Sequence, residues 1–128
     1  MQDRRKLPRK DLMSYSQVFD LSRGKLIGYL GDLTSIGAMV IGDEPLKVEE
    51  KLTISIQLPE LPKINASRLT LPVRVVRCHQ DISPEDFNIG VEFDQVTEEQ
   101  KKIIEAVLDN YEFRRQPPNY PPHPTEIE

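Results

Sequence analysis

The sequence predicts a mainly β domain: a small antiparallel barrel or sandwich of six strands with one C-terminal helix. Three observations carry that expectation. Several segments alternate apolar and polar residues with period two, the pattern of strands that bury one face. Gly, Asp and Ser punctuate these short runs at turns. After Asp94 the apolar period changes to that of a helix.

Taken along the chain, SYSQVFDL, GKLIGYLGDL and GAMVIG read as three short strands. KLTISIQL is the clearest of the set, with Leu52, Ile54, Ile56 and Leu58 on one face. LPVRVVRC follows, and FNIGVEFD closes the series with Phe87, Ile89, Val91 and Phe93 aligned. In LPVRVVRC, Val73, Val75 and Arg77 share a parity, so an unbroken strand would drive Arg77 into the core. Either a β-bulge shifts the register or the strand leaves the core before Arg77, and the bulge is the preferred expectation. Ile103, Ile104, Val107, Leu108 and Tyr111 then form one apolar stripe at helical spacing. Thr97 followed by Gln100 is a capping-box pair, which places the helix from about Glu98 to Tyr111. The helix is expected to cover an apolar face or an open sheet edge.

At 128 residues and 38% hydrophobic, the chain suits one core. We divide it into a flexible basic arm (1–13), the β domain with its helix (14–113) and a Pro-rich disordered tail (114–128). That tail, RRQPPNYPPHPTEIE, has five prolines and no apolar periodicity. No apolar run approaches the ~20 residues of a membrane span, and no signal-peptide pattern opens the chain. A lone cysteine, Cys78, fits a reducing compartment, so the expected location is the cytoplasm without membrane insertion. Residues 3 to 11 carry net +3, leaving −7 on the rest of a chain of net charge −4. That balance disfavours DNA or RNA lying along the whole domain, and leaves room for a small anion held at one place.

Catalytic chemistry is not expected. Only His79 and His123 could serve as imidazole bases, and His123 lies in the tail. Cys78 and His79 are strand neighbours that point to opposite faces, a packed thiol and a solvent-facing imidazole. Zinc would need several Cys or His ligands at short spacing. The acid pairs Glu49 and Glu50, Glu85 and Asp86, and Glu98 and Glu99 read as solvating and helix-dipole charges. No phosphate-binding glycine loop occurs. The chain is read as a non-enzyme with no metal and no cofactor.

Two features remain. RRKLPRK, from Arg4 to Lys10, sets Arg5 and Arg9 four apart with Pro8 opposing a continuous helix. Arginine offers a planar fork for phosphate or for the O6/N7 edge of guanine. By itself the segment is also an ordinary solvated arm. DLTSIG, from Asp32 to Gly37, lies where one strand turns into the next, and Asp, Thr and Gly all suit a turn. A carboxylate there also fits the N1–H and N2–H2 donor edge of guanine.

In this order and spacing, RRKLPR and DLTSIG resemble the signature of the PilZ domain family, RxxxR followed by [DN]xSxxG. The resemblance extends over about residues 4 to 113, through the strand series, NIGVEFD and the final helix. It implies a six-stranded antiparallel barrel with a C-terminal helix, and a receptor for cyclic di-GMP. It also implies that Arg5 and Arg9 grip phosphate and guanine, with Asp32, Thr34 and Gly37 supplying the barrel side of the site. Arg4, just before the first motif arginine, is placed to stack on an extra base, which would give two ligands per chain. Thr34 departs from the family's usual serine; its hydroxyl survives, and its added methyl is stiff at χ1. The resemblance further implies a protein partner in motility, adhesion or exopolysaccharide machinery, reached through ordering of the arm. The rival reading is an adaptor that no longer binds nucleotide and acts through its barrel, helix or tail.

Overall fold

The computed structural model describes residues 11–13, 16–80 and 85–113. Arg4, Arg5, Arg9 and the tail from 114 lie outside the described residues. In chain order the elements are β1 (Asp11–Leu12), β2 (Gln17–Asp20), β3 (Lys25–Leu33), β4 (Gly37–Gly42), β5 (Lys51–Gln57), β6 (Arg68–Gln80), β7 (Phe87–Phe93), α1 (Glu98–Asn110) and β8 (Tyr111–Glu112).

Strands β2 to β7 form a closed barrel in the order β2-β3-β4-β7-β6-β5, with β5 pairing back to β2 and every ladder antiparallel. Closure decides between barrel and sandwich, and removes the edges that would otherwise template association. The alternating residues of β5, β6 and β7 fill the interior, where Ile54, Leu71, Val73, Val75 and Ile89 are inaccessible to solvent. Asp20, also fully buried, closes the β2–β3 turn: one carboxylate oxygen accepts from the Ser22 and Arg23 amides, and the Arg23 guanidinium lies 3.3 Å from the other.

The helix begins as its residues demand. Thr97 Oγ1 accepts from the Gln100 amide at 3.1 Å, and Gln100 Oε1 accepts from the Thr97 amide at 3.0 Å, completing the capping box. Gln100 Nε2 also donates to Thr70 O, fixing this end to β6. Ile103, Ile104 and Val107 enter the barrel's apolar cluster, each burial contributing up to about 1.5–3 kcal/mol. With the barrel closed, the helix covers an apolar face and not an edge. Thr97→Ala is expected to cost about 1 kcal/mol and to lower Tm by roughly 4 °C in scanning calorimetry.

The helix stops at Asn110, one residue earlier than the periodicity indicates. Tyr111 takes extended dihedrals (φ −136°, ψ 150°) because β8 pairs in parallel with β1, Asp11 opposite Tyr111 and Leu12 opposite Glu112. Met13 donates its amide to Glu112 O at 2.7 Å and buries its side chain. The last residues of the segment assigned to the arm therefore join the end of the helix.

Three register shifts interrupt the barrel ladders, one at Val18 and Phe19 of β2 and two bulges that matter for what lies outside the barrel. In β6 the register against β7 shifts between Val75 and Arg77, the bulge being the solution that the parity conflict in LPVRVVRC takes. In β3 it shifts against β4 between Leu30 and Asp32, with Gly31 as the extra residue. Leu30 and Val75 point inward, while Asp32 and Arg77, two positions on, point outward.

Candidate functional site

The outer wall formed by β3, β4, β7 and β6 carries a concavity of about 550 Å³. Its floor follows from the ladder register. Asp32 pairs with Met39, Met39 with Gly90, and Gly90 with Arg77, one residue from each of four adjacent strands. The row sets a carboxylate at one end and a guanidinium at the other, with an uncharged floor between. Each end owes its outward direction to one of the two bulges. The next outward row begins with His79 opposite Asn88, both on the wall of the same concavity.

Glu92 also lines the concavity, but its charge is engaged. The Arg74 guanidinium binds Glu92 and, on its other side, both carboxylate oxygens of Glu49 at 3.0 and 3.1 Å. These partners, Glu92 first, hold the Arg74 pKa above its ordinary value. Arg74 thus screens Glu92, while the row itself ends in Asp32 and Arg77.

The turn between β3 and β4 explains the DLTSIG residues one at a time. Thr34 Oγ1 accepts from the amides of Ile36 (3.2 Å) and Gly37 (3.1 Å) and donates to Gly37 O (3.3 Å). One donor and two acceptor positions exhaust a hydroxyl, so this side chain is committed to the turn. Gly37 pairs with Glu92 of β7, and a Cβ there would lie 2.4 Å from Val91 O, closer than a carbon can approach. Asp32 accepts from the Leu33 amide at 2.9 Å and lines the concavity.

Of the residues singled out by sequence, Asp32, Thr34 and Gly37 converge on this wall, while Arg4, Arg5 and Arg9 lie outside the described residues. Sequence reasoning missed Arg77, His79 and Asn88 as wall residues. Arg77 had left a signal in its parity conflict, whereas the other two come together only through the register of β6 and β7. Cys78 is half-buried against the core and His79 exposed, on opposite faces as expected. The chain enters the barrel beside this site: Ser16 O accepts from the Leu30 amide at 2.8 Å, two residues before Asp32.

A second concavity, of about 730 Å³, lies between residues 58–67 and the end of α1. It is larger, but Glu60 is its one charged lining residue, which makes it unsuited to an anion. Among the described residues, no helix is long and apolar enough to cross a membrane.

Fold and geometry together define a small closed β-barrel domain with a concavity on its outer wall. A family model described as the PilZ domain matches residues 3–110, and the chain belongs to that family. Among solved structures it is similar to one described as Bacillus subtilis inhibitor of motility (MotI/DgrA), with a TM-score of 0.57 and 18% identity. The match covers 84% of this chain and 55% of that one, so this chain spans about half the length of that protein, and the likeness is one of fold. No curated protein matches the sequence.

Proposed function

We propose that this domain is a receptor for cyclic di-GMP. The observation that carries the reading is the opposed pair Asp32 and Arg77 across a four-strand floor, in a member of the PilZ family. A carboxylate at one end suits the N1–H and N2–H2 edge of guanine, and a cation at the other suits a phosphate. Thr34 and Gly37 serve this site by fixing the turn that presents Asp32. The matched span includes Arg4, Arg5 and Arg9. Arg9 lies two residues before Asp11, which β1 holds opposite Tyr111 at the end of α1. In this reading the part of the arm before Asp11 closes over ligand lying on the barrel while β1 stays paired with β8, and the reordered surface engages a protein partner. The similar solved protein, described as an inhibitor of motility, supports motility machinery as one class of partner to test first.

Calorimetric titration of the full chain with cyclic di-GMP tests the reading. Wild type is expected to bind, with Arg5→Ala and Arg9→Ala each weakening binding at least tenfold, and affinity should fall as salt rises from 50 to 500 mM. Absence of heat from wild type at high micromolar ligand would overturn it in favour of the nucleotide-free adaptor.

A further inference from the structure

We infer that the concavity at the end of α1 is a docking groove for this chain's own tail, occupied by the Pro-rich block of residues 117–122. The groove lies on a different face from the ligand wall, and the inference stands independently of the cyclic di-GMP reading.

The groove lies between the loop of residues 58–67 and the junction of α1 with β8. Tyr111 spans it: its backbone belongs to β8, and its hydroxyl donates to Glu60 O at 2.8 Å on the loop side. Pro59, Pro62 and Ile64 supply apolar lining beside the ring. Asn65 and Ser67, both exposed, also line the groove, and their side chains make no hydrogen bond among the described residues. An aromatic ring and prolines flanked by polar groups with donors to spare suit a polyproline II segment. Such a segment makes no internal hydrogen bonds and leaves its carbonyls to be satisfied from outside.

Both terminal segments leave from this junction, and charge selects between them. Residues 1–10 precede Asp11, which pairs with Tyr111, and they hold six charged side chains. At the other end, 15 residues follow Phe113, two positions past Tyr111. Ten of these, 116–125, contain no Asp, Glu, Lys or Arg and include all five prolines of the tail. Glu60 is the one charged residue lining the groove, so seating the first segment would strip water from several charges with a single partner. The block from the tail brings none. Four residues carry the chain from Phe113 to Pro117, a reach of at most about 14 Å, enough to turn the block back onto Tyr111. Tethering at that length sets an effective concentration of roughly 1 mM, so a weak intrinsic affinity suffices to keep the groove filled. Docking there braces the residue that Asp11 pairs with, and so steadies the β1–β8 ladder.

Paramagnetic relaxation in NMR spectra of the full chain tests this. Cys78→Ser removes the one native thiol, and Asn119→Cys carries a nitroxide inside the block. The amides of Ile64, Asn65, Ser67 and Tyr111 are expected to lose about half or more of their intensity, as a mostly filled groove requires. Those of Arg23 and Gly24, in the β2–β3 turn at the other end of the barrel, should keep theirs. Adding Asn65→Glu, a charge at an exposed position, should abolish the effect without disturbing the core. A second reading keeps Cys78 native: substituting Pro121→Ser and Pro122→Ser together changes the tail alone and should shift the same groove amides. Relaxation spread evenly over the surface, or groove amides unmoved by the proline substitutions, overturns the inference. A mixture of isotope-labelled chain with unlabelled, nitroxide-carrying chain should leave the groove amides at full intensity. Loss of intensity there in the mixture would assign the groove to the tail of a second copy, and overturns docking within one chain.

Discussion

Gly37→Ala is expected to destabilise the domain by about 3 kcal/mol, at the upper end of what a forced small-to-large change costs. The added Cβ would sit 2.4 Å from Val91 O, and neither atom can swing away, since one is attached to β4 and the other is backbone of β7. The β4–β7 ladder must separate locally, and the bond from the Phe93 amide to Ile36 O, 2.8 Å long, lies beside that point. Urea denaturation measures the loss as a lower midpoint with an unchanged m-value. Thr34→Ser is the informative companion: it keeps the hydroxyl that serves Ile36, Gly37 N–H and Gly37 O, and should leave the midpoint nearly unmoved. A silent Gly37→Ala would show that β7 gives way easily and that glycine serves the ligand instead.

Asp32→Ala is expected to weaken cyclic di-GMP binding by about 10- to 100-fold, the loss of a charge-assisted bond of roughly 1.5–3 kcal/mol. The physical reason is the sign of the base edge. Guanine turns two donors toward a carboxylate, whereas adenine offers an acceptor at N1, so wild type should bind cyclic di-AMP far more weakly than cyclic di-GMP. Asp32→Asn retains one acceptor oxygen and should fall between wild type and alanine. Competition titrations with the two cyclic dinucleotides measure both effects. Equal affinity of Asp32→Ala and wild type would remove this residue from the site.

The sequence made the barrel largely readable because its strands alternate cleanly. In KLTISIQL and FNIGVEFD the apolar parity is unbroken, and those faces are the ones buried. The capping box was equally plain, since its two residue types at that spacing have few other uses. The bulge before Arg77 could be inferred because three same-parity residues included a charge. The matching bulge at Gly31 could not, since glycine on either side of Tyr29 and Leu30 blurs the alternation in GKLIGYLGDL. The β1–β8 ladder has only two residues per strand and therefore no period to detect. In the site, Asp32, Thr34 and Gly37 were legible as a motif, but their division of labour was not. Residue types suited to a turn are also suited to a ligand, and only the three bonds of Thr34 Oγ1 separate the two roles. Arg77, His79 and Asn88 needed the register of β6 and β7, which no single segment contains.

The small parallel ladder also fixes the order in which the chain is joined. Because β1 and β8 run the same way, the arm leaves Asp11 on the side of Tyr111, directly after the last turn of α1. Two residues of pairing and the Met13 amide hold this splice, whereas the barrel seams run for three to seven pairs each. A pull on the arm thus reaches the end of α1 first, and reaches the barrel through the apolar cluster that Met13, Ile103, Ile104 and Val107 share with it.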